Sequence, residues 1–444
     1  MGMSAADKVF QDYGVEAVPQ DKTRSWLSMG LVWAGVGISL GLLLTGGTVA
    51  DGMSLQQTAL AAVIGGLVLA AITVLTGIIG ARTHLSTAMI SRFTFGNRAV
   101  LLIALIQALG AYGWFAVQLG LFGRTAATSW DILTGLTWGD APFIVVGGLL
   151  MIGTAIVGYR ALDVLSKLAV PLLLVLMAAS VWRVFDTATM SEVLAMRGQG
   201  APLTLGTGIS LVISSFVVGA VIAPDVSRYA KSPTHTIGAA ILAFAVVTPI
   251  VMLVGALMAL RAGTWDIVDI MLRLGWGVGA LVLLMLAQWT SNDNNLYSAA
   301  LGFAVVFRKL KKWQLTAIAG VIGIALALAG IYDNFTTWLT VLGVLIPPMA
   351  GVIGVDYYLT RTRRYAGGFE TPVPQIRALS LTAWALGSVL SLVTSQGGFV
   401  VTTVPAIDGL LAAGLLQFLF GRFLEGRARG GAARGAVRAS APGA

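Results

Sequence analysis

The sequence contains no cysteine and few charged residues. The lack of cysteine excludes disulfides and thiolate metal sites, and two histidines, His84 and His235, are too few for a histidine metal cage. Charged residues make up 11% of the chain, whereas soluble domains carry about 25%. This composition excludes an ordinary soluble enzyme, a disordered chain and a nucleic-acid-binding module, and we expect no nucleic-acid partner despite the net charge of +9.

Long apolar runs take up most of the 444 residues, and 57% of the residues are hydrophobic. Because a bilayer span needs roughly 20 apolar residues, the runs predict a polytopic all-α membrane protein with twelve transmembrane helices. The predicted spans are Ser25–Ala50, Thr58–Ala81, Ala99–Gly123, Ala141–Tyr159, Val164–Val184, Gly198–Pro224, Thr236–Leu260, Leu274–Phe303, Trp313–Tyr332, Asn334–Val355, Ala378–Thr394 and Val400–Phe420. The first run follows a polar leader and is too long for a cleavable signal peptide.

Lysine and arginine predict the orientation of these spans. Most of the 28 basic residues fall in loops on one side if the N-terminus is inside, so both termini are predicted to be cytoplasmic in a plasma (inner) membrane protein. The predicted parts are a leader at 1–24, five-helix halves at 25–184 and 205–358, helices 11 and 12 at 378–421, and a Gly/Ala/Arg tail at 426–444. The tail has little apolar content, and we expect it to be disordered.

Glycine and serine clusters predict interruptions in two spans. The first span contains 34–37 (AGVG) and 45–48 (TGGT), and the sixth contains 214–216 (SSF) and then Gly219. Each cluster alone can serve close helix packing. Because spans 1 and 6 occupy matching positions in halves that run in opposite directions, the clusters favour the central site of a transporter with inverted repeats.

A polar run lies at membrane depth in the eighth span. It consists of Gln288, Thr290, Ser291, Asn292, Asp293, Asn294 and Asn295. Interhelical hydrogen bonds account for one or two such residues, but a run of this density must face protein or water. The hydroxyls of Thr290 and Ser291, together with carbonyls freed at a helix break, would form a neutral oxygen cage that suits Na⁺.

The third span offers an aromatic plate beside an amide. Trp114 and Gln118 are four residues apart and share a helix face, which suits a flat heterocycle with donors and acceptors. Ser215 and Phe216 repeat the pairing in the sixth span, and two plates can sandwich one ring at ~0.5–1.5 kcal/mol per face. The alternative is that Trp114 only packs and Gln118 bonds a neighbouring helix.

Ordered motifs along nearly the whole chain carry a family resemblance. They are 45–48 (TGGT), 80–83 (GART), 91–96 (SRFTFG), 113–115 (GWF), 215–216 (SF) with Asp225, 289–294 (WTSNDN) with Tyr297, 301–304 (LGFA), and 346–348 (IPP) through Gly351 to Asp356 and Tyr357. The chain therefore resembles the nucleobase:cation symporter-1 family, and most closely its bacterial cytosine permease branch. The resemblance implies twelve helices, with two inverted five-helix repeats, broken helices 1 and 6, and two extra C-terminal helices.

The resemblance also implies roles for particular residues. Trp114 and Phe216 match the plates that sandwich the base, and Ser215 and Asn292 match groups that hydrogen-bond it. The implied sodium ligands are the hydroxyls of Thr290 and Ser291 and the carbonyls of Gly35, Ile38 and Ala287.

Two positions depart from the cytosine permease pattern. Ala111 replaces a glutamine three residues before the site tryptophan, and Ala287 replaces an asparagine. Gln118 instead follows Trp114 by one turn, as in the hydantoin and purine branches. Because a site built to hydrogen-bond its ligand rejects the wrong pattern strongly, this shift of one amide leaves the substrate open.

The sequence predicts a symporter that imports a nucleobase, with cytosine first, together with Na⁺ by alternating access. It predicts no cofactor beyond Na⁺ as coupling ion, and as partners the base, the ion and the lipid bilayer, with no obligate protein partner. Three alternatives stay open: proton coupling through Asp293, another flat heterocycle such as a purine, uracil or a hydantoin, and a substrate-binding membrane sensor. An enzyme is not expected, because no paired carboxylates, metal ligands or Ser/His arrangement occur at membrane depth.

Overall fold

The computed structural model describes residues 18–157, 159–307, 310–361, 365, 371–397 and 401–424. In these ranges the chain is α-helical without a β-strand, and extended pairing is limited to two isolated bridges, Arg24 with Ala230 and Ser54 with Arg197. Most of the predicted leader (1–17) and all of the predicted tail (426–444) lie outside the described residues.

The helices of the first half run from the leader to the predicted loop between spans 5 and 6. They are α1 (Trp26–Gly37), α2 (Leu40–Asp51), α3 (Leu55–Thr83), α4 (Thr87–Phe95), α5 (Ala99–Thr134), α6 (Asp140–Val157), α7 (Tyr159–Thr187) and α8 (Met190–Ala195).

The remaining helices follow in the second part of the chain. They are α9 (Leu205–Val221), α10 (Pro224–Ser227), α11 (Pro233–Ala240), α12 (Thr248–Ala262), α13 (Ile267–Arg273), α14 (Gly277–Val306), α15 (Lys312–Leu328), α16 (Phe335–Leu345), α17 (Pro347–Val355), α18 (Ala378–Ser395) and α19 (Pro405–Leu419). Ile241–Val247, which joins α11 to α12, has π-helical hydrogen bonding, as do Asp356–Arg361 and Phe420–Leu424.

Within the described ranges, 6 helical segments are long and apolar enough to cross a membrane: Leu55–Thr83, Ala99–Thr134, Leu205–Ser227, Pro233–Ala262, Phe335–Thr360 and Ala378–Ser395. Shorter apolar helices are Leu40–Asp51, Asp140–Ile156 and Trp313–Leu328. The membrane-protein class is confirmed, while the count of twelve spans and the division into inverted repeats stay predictions.

The first span is interrupted between α1 and α2, directly after 34–37. Ser39 is extended, with φ −134° and ψ 153°, and the amides of Leu42 and Leu43 donate to its backbone oxygen at 3.2 and 3.3 Å. The second cluster, 45–48, lies in unbroken helix. A β-carbon on Gly46 would stand 2.0 Å from the oxygen of Met252, so this cluster serves the close crossing of α2 and α12.

The sixth span differs from its prediction at both ends. α9 continues through 214–216 and Gly219 and ends at Val221, so the interruption comes later, before Pro224. α9 also begins at Leu205 rather than at Gly198. The Thr204 hydroxyl caps it by accepting from the amide of Thr207 at 3.1 Å, and the preceding segment bonds the end of α2 instead, with the Gly200 amide 2.8 Å from the oxygen of Asp51.

The predicted site residues lie on or beside α1, α2, α5, α9 and α14, which pack against one another and against α12 and α16. α5 packs along α14, α2 packs along α12 and also contacts α14, and α9 contacts α5 and packs against α16. α5 reaches Thr134, beyond the predicted end at Gly123. The charge of Arg124, just past that predicted end, is paired with Asp266, whose carboxylate oxygen lies 2.9 Å from its Nε.

Candidate functional site

Trp114 stands where three helices meet. Its six-membered ring lies against the backbone of Gly41, near the start of α2, where a β-carbon would be 2.9 Å from Cζ3. On another side it meets the ring of Phe335 at the start of α16, edge to face, with centroids 5.8 Å apart at 68°. The predicted plate is therefore held in one orientation by neighbours from α2 and α16.

Gln118 lies one turn further along α5. Its side chain is 7% exposed, and it forms no hydrogen bond with any of the described residues, although its polar atoms are not fully enclosed. An amide in a membrane span normally bonds a partner, because unsatisfied polar groups are costly there. Gln118 therefore remains available to a ligand beside Trp114.

Ser215 and Phe216 are more engaged than the sequence predicts. The Ser215 hydroxyl donates to the oxygen of Val212 at 2.7 Å, within its own helix. The ring of Phe216 packs with Trp33, at a centroid distance of 6.0 Å, and with Phe244, at 5.1 Å. The described ring contacts do not pair Phe216 with Trp114, so the structure leaves the predicted sandwich untested.

Asn292 joins α14 to α5. It is fully buried, and its Nδ2 donates to the backbone oxygen of Phe115 at 3.1 Å and lies 3.5 Å from the sulfur of Met151. Its Oδ1 accepts from the Nδ2 of Asn295 at 3.5 Å, at the long limit for a hydrogen bond. Only the oxygen of Asn292 is lightly engaged, so any bond to a ligand would use that atom.

The predicted sodium ligands lie on the helix break and on α14. Gly35 is in the last turn of α1, and Ile38 is in the break. The Leu42 amide donates to Ser39 rather than to Ile38, so the Ile38 carbonyl lacks its usual helical donor among the described residues.

On α14, the Thr290 hydroxyl donates to the Ala287 oxygen at 2.9 Å, which brings two predicted ligands together, and Ser291 is half-buried beside them. Threonine and serine oxygens and backbone carbonyls are hard, neutral donors of the kind that hold Na⁺ at unwound helices.

Asp293 joins α14 to α6. Its carboxylate is fully buried, and both oxygens accept from the Thr154 hydroxyl of α6, at 3.0 and 3.1 Å. The Trp289 indole nitrogen in turn donates to the same hydroxyl at 3.1 Å. Within the described ranges no ion pair involves Asp293.

Sequence reasoning missed two residues that shape the site, Gly41 and Phe335. Gly41 gives no signal among the 55 glycines of the chain, and its contact with Trp114 depends on how α2 and α5 pack. Phe335 is the second residue of a predicted span and is 1% exposed, but only the tertiary structure brings it to Trp114.

Gln288 is a third residue whose position the sequence left unexplained. It is fully buried, and neither atom of its amide has a hydrogen-bond partner among the described residues. Buried side-chain amides in native proteins are nearly always hydrogen-bonded. In the present arrangement the free energy that burial of the Gln288 amide costs is therefore not offset by a described hydrogen bond.

Comparison with known proteins adds independent findings. The sequence model of the family described as "Permease for cytosine/purines, uracil, thiamine, allantoin" matches residues 17–371. The chain is also similar to the cytosine permease of Escherichia coli (strain K12), with 34% identity over 370 residues, which is 83% of this chain and 86% of that protein.

Solved structures share the fold. The inward-facing conformation of Mhp1 superimposes with a TM-score of 0.81 at 20% identity, covering 93% of both chains. Mhp1, a nucleobase-cation-symport-1 family transporter, in a closed conformation with bromovinylhydantoin bound, gives a TM-score of 0.74 at 21% identity, covering 91% of this chain and 94% of that chain.

Proposed function

Because the chain belongs to the nucleobase:cation symporter-1 family, the permeases for cytosine, purines, uracil, thiamine and allantoin, we propose that it is a sodium-coupled symporter that imports a nucleobase, cytosine first, by alternating access. The predicted family is thereby confirmed. Membership makes the chain a multi-pass membrane permease for a nucleobase-type substrate and not an enzyme. The coupling ion, the choice of cytosine and the orientation with both termini inside the inner membrane belong to the proposal.

One observation carries the substrate part of the proposal: the unbonded amide of Gln118 lies one turn from the fixed indole of Trp114. A planar base could stack on the indole while its ring edge bonds the amide, and stacking on an aromatic side chain is worth ~1–3 kcal/mol per base. Phe216 would supply the second plate, with Ser215 and the oxygen of Asn292 as further polar contacts.

The sodium part is supported by the freed carbonyl of Ile38 and by the Ala287–Thr290 pair. Gly35 and Ser291 complete the proposed set. Na⁺ is cargo here, and its gradient supplies the work. One ion crossing about 100 mV gains ~2.3 kcal/mol, and a roughly tenfold gradient adds ~1.4 kcal/mol. Together they support accumulation of the base by roughly a few hundredfold.

The transport step is proposed to move helices 1, 2, 6 and 7 of the predicted topology against the remaining scaffold. The break at Ile38–Ser39 lets α1 and α2 move as separate pieces, and the cation and base would bind where these pieces meet α5 and α14. Interrupted helices at a central site are the usual arrangement for such rocking motions.

Thermal stabilisation of the purified protein tests this proposal. A ligand that binds only the folded state raises the melting temperature, so cytosine, uracil, purines and hydantoins would each be measured in Na⁺ and in K⁺. We expect cytosine to raise the melting temperature in Na⁺ and much less in K⁺. If another heterocycle raises the melting temperature instead, that heterocycle replaces cytosine as the proposed substrate. If none of them raises it, the proposed binding site is contradicted.

A proton-driven permease is the second candidate, and the buried carboxylate of Asp293 favours it. A charged carboxylate is costly at membrane depth, and its hydroxyl partner Thr154 does not neutralise it. Ligand shifts that are equal in Na⁺ and K⁺ but change with pH would support this candidate over sodium coupling.

A further inference from the structure

The first turn of α2 touches both halves of the proposed site. It begins two residues after Ile38, whose freed carbonyl is a proposed sodium ligand, and the Leu42 and Leu43 amides close that turn on the oxygen of Ser39 at 3.2 and 3.3 Å. Gly41 lies within it, and its oxygen accepts from the Thr45 hydroxyl at 2.7 Å. Any change that orders or loosens the break therefore moves Gly41.

The indole of Trp114 occupies the space where a side chain on residue 41 would stand. A β-carbon at Gly41 would be 2.9 Å from Cζ3, 3.4 Å from Cη2 and 3.6 Å from Cε3, and a separation below about 3 Å forces one of the two groups to shift. The glycine is therefore required for α2 to approach this closely.

A second neighbour of the ring comes from α16. Phe335 meets it with ring centroids 5.8 Å apart and is itself 1% exposed, so α16 restricts the movement of the indole on the side where they meet. Packed side chains transmit small displacements because interiors are dense. A shift of the first turn of α2 therefore changes the position of the Trp114 plate.

We propose that Gly41 is a positioning residue that couples the sodium ion to the heterocycle, through its contact with Trp114. The ion orders the break at Ile38, the ordered turn sets Gly41, and Gly41 holds the indole in the stacking position. This inference rests on the proposed function. Coupling between two binding sites is reciprocal. If sodium raises the affinity for the heterocycle by some factor, the heterocycle must therefore raise the affinity for sodium by the same factor.

The test is the ratio of heterocycle dissociation constants measured in K⁺ and in saturating Na⁺. Coupling between sites typically amounts to about 5- to 150-fold, so the wild-type ratio should fall in this range. In Gly41→Ala we expect the ratio to fall to within about twofold of one, because the methyl group displaces the indole whether or not the ion is bound.

Gly47→Ala is the matched control on the same helix. Its β-carbon would lie 3.3 Å from that of Ala259 and away from Trp114, so the ratio should stay at the wild-type value. Phe335→Leu is a second test that leaves α2 untouched. It removes an aromatic ring that the indole contacts and should also lower the ratio, which keeps the proposal testable if Gly41→Ala does not fold.

The outcomes separate the two claims. A wild-type ratio of one would contradict sodium coupling itself. A normal wild-type ratio that persists in both Gly41→Ala and Phe335→Leu would overturn the role of Gly41 while leaving the proposed function intact. Equal weakening of binding in Na⁺ and K⁺, with the ratio unchanged, would likewise overturn it, because that result describes packing alone.

Discussion

The side-chain nitrogen of Asn292 donates to the backbone oxygen of Phe115 at 3.1 Å, which fastens α14 to α5. Phe115 follows Trp114 directly, so the helix that carries the proposed sodium ligands is tied to the helix that carries the proposed stacking plate. Because Asn292 is engaged in this bond, Gln118, one turn from Trp114 and without a partner among the described residues, is given the main polar contact with the base in the predictions below.

Removal of the stacking plate should weaken binding without unfolding the protein. Trp114→Ala is expected to raise the dissociation constant of the heterocycle by about 5- to 150-fold, because stacking on an aromatic ring contributes ~1–3 kcal/mol. Isothermal titration calorimetry measures this dissociation constant. Trp182→Ala is the control, since Trp182 is 64% exposed and far along the chain in α7, and equal binding by both variants would contradict the assignment.

Gln118 should set the ligand's hydrogen-bond pattern. Gln118→Leu keeps similar bulk but removes donor and acceptor, and because a polar ligand edge left unbonded costs ~1–3 kcal/mol, binding should weaken about fivefold or more. Competition binding with a series of bases measures the change for each ligand. The exposed Gln199 offers the same substitution as a control, and unchanged ligand preference in Gln118→Leu would remove Gln118 from the site.

Substitution of Thr290 should weaken the binding of sodium more than it weakens the binding of the base. Thr290→Ala deletes a proposed ligand oxygen, and interactions of polar groups with a charge are worth ~1.5–3 kcal/mol, so half-saturation by Na⁺ should need about tenfold more ion or higher. Thr290→Ser retains the oxygen and should stay near wild type. Both are read from melting temperature against Na⁺ concentration at fixed ligand, and identical sodium curves for the two variants would show that the hydroxyl is not a ligand.

The unbonded amide of Gln288 gives a stability prediction. Gln288→Met has similar length and no amide, so it should raise the melting temperature by relieving a cost of ~1–3 kcal/mol. Gln288→Glu, which buries a charge in the same place, should lower it sharply. A lower melting temperature for the methionine variant would mean that the amide is bonded in the working protein.

A substitution at Asp293 should distinguish sodium coupling from proton coupling. Asp293→Asn keeps an oxygen that can accept from Thr154, which now bonds the carboxylate at 3.0 and 3.1 Å, but it cannot carry a proton. Under sodium coupling, uptake driven by Na⁺ should persist in this variant with an unchanged pH profile. Loss of uptake while Na⁺ and base still bind would favour the proton.

Composition and local pattern were enough to predict the all-helical membrane-protein class, but not every helix boundary. A scarcity of charge and repeated apolar runs leave few alternatives in a bilayer, where backbone groups must bond within their own helix. The interruption after 34–37 was also predictable in place. The one in the sixth span was not, because 214–216 tolerates unbroken helix, and the chain turns only where Pro224 removes an amide.

Contacts between distant helices could not be predicted in the same way. The residue types that suit a flat base were visible at Trp114 and Gln118, but the fixing of that ring by Gly41 and Phe335 depends on the packing of α2 and α16 against α5. Asn292 shows the same limit. Its amide suits a ligand and a neighbouring backbone oxygen equally, and only the distance to Phe115 shows which one it bonds.

The central claim is that an inward sodium gradient drives accumulation of an unaltered nucleobase. Uptake of labelled cytosine into proteoliposomes, with the Na⁺ gradient and membrane potential set independently, tests it most directly. The account predicts accumulation of cytosine above its external concentration. This accumulation should require Na⁺, increase with an inside-negative potential and need a higher cytosine concentration in Trp114→Ala, and the recovered base should be chemically unchanged. Equilibration without accumulation, or accumulation driven by a proton gradient in the absence of Na⁺, would contradict it.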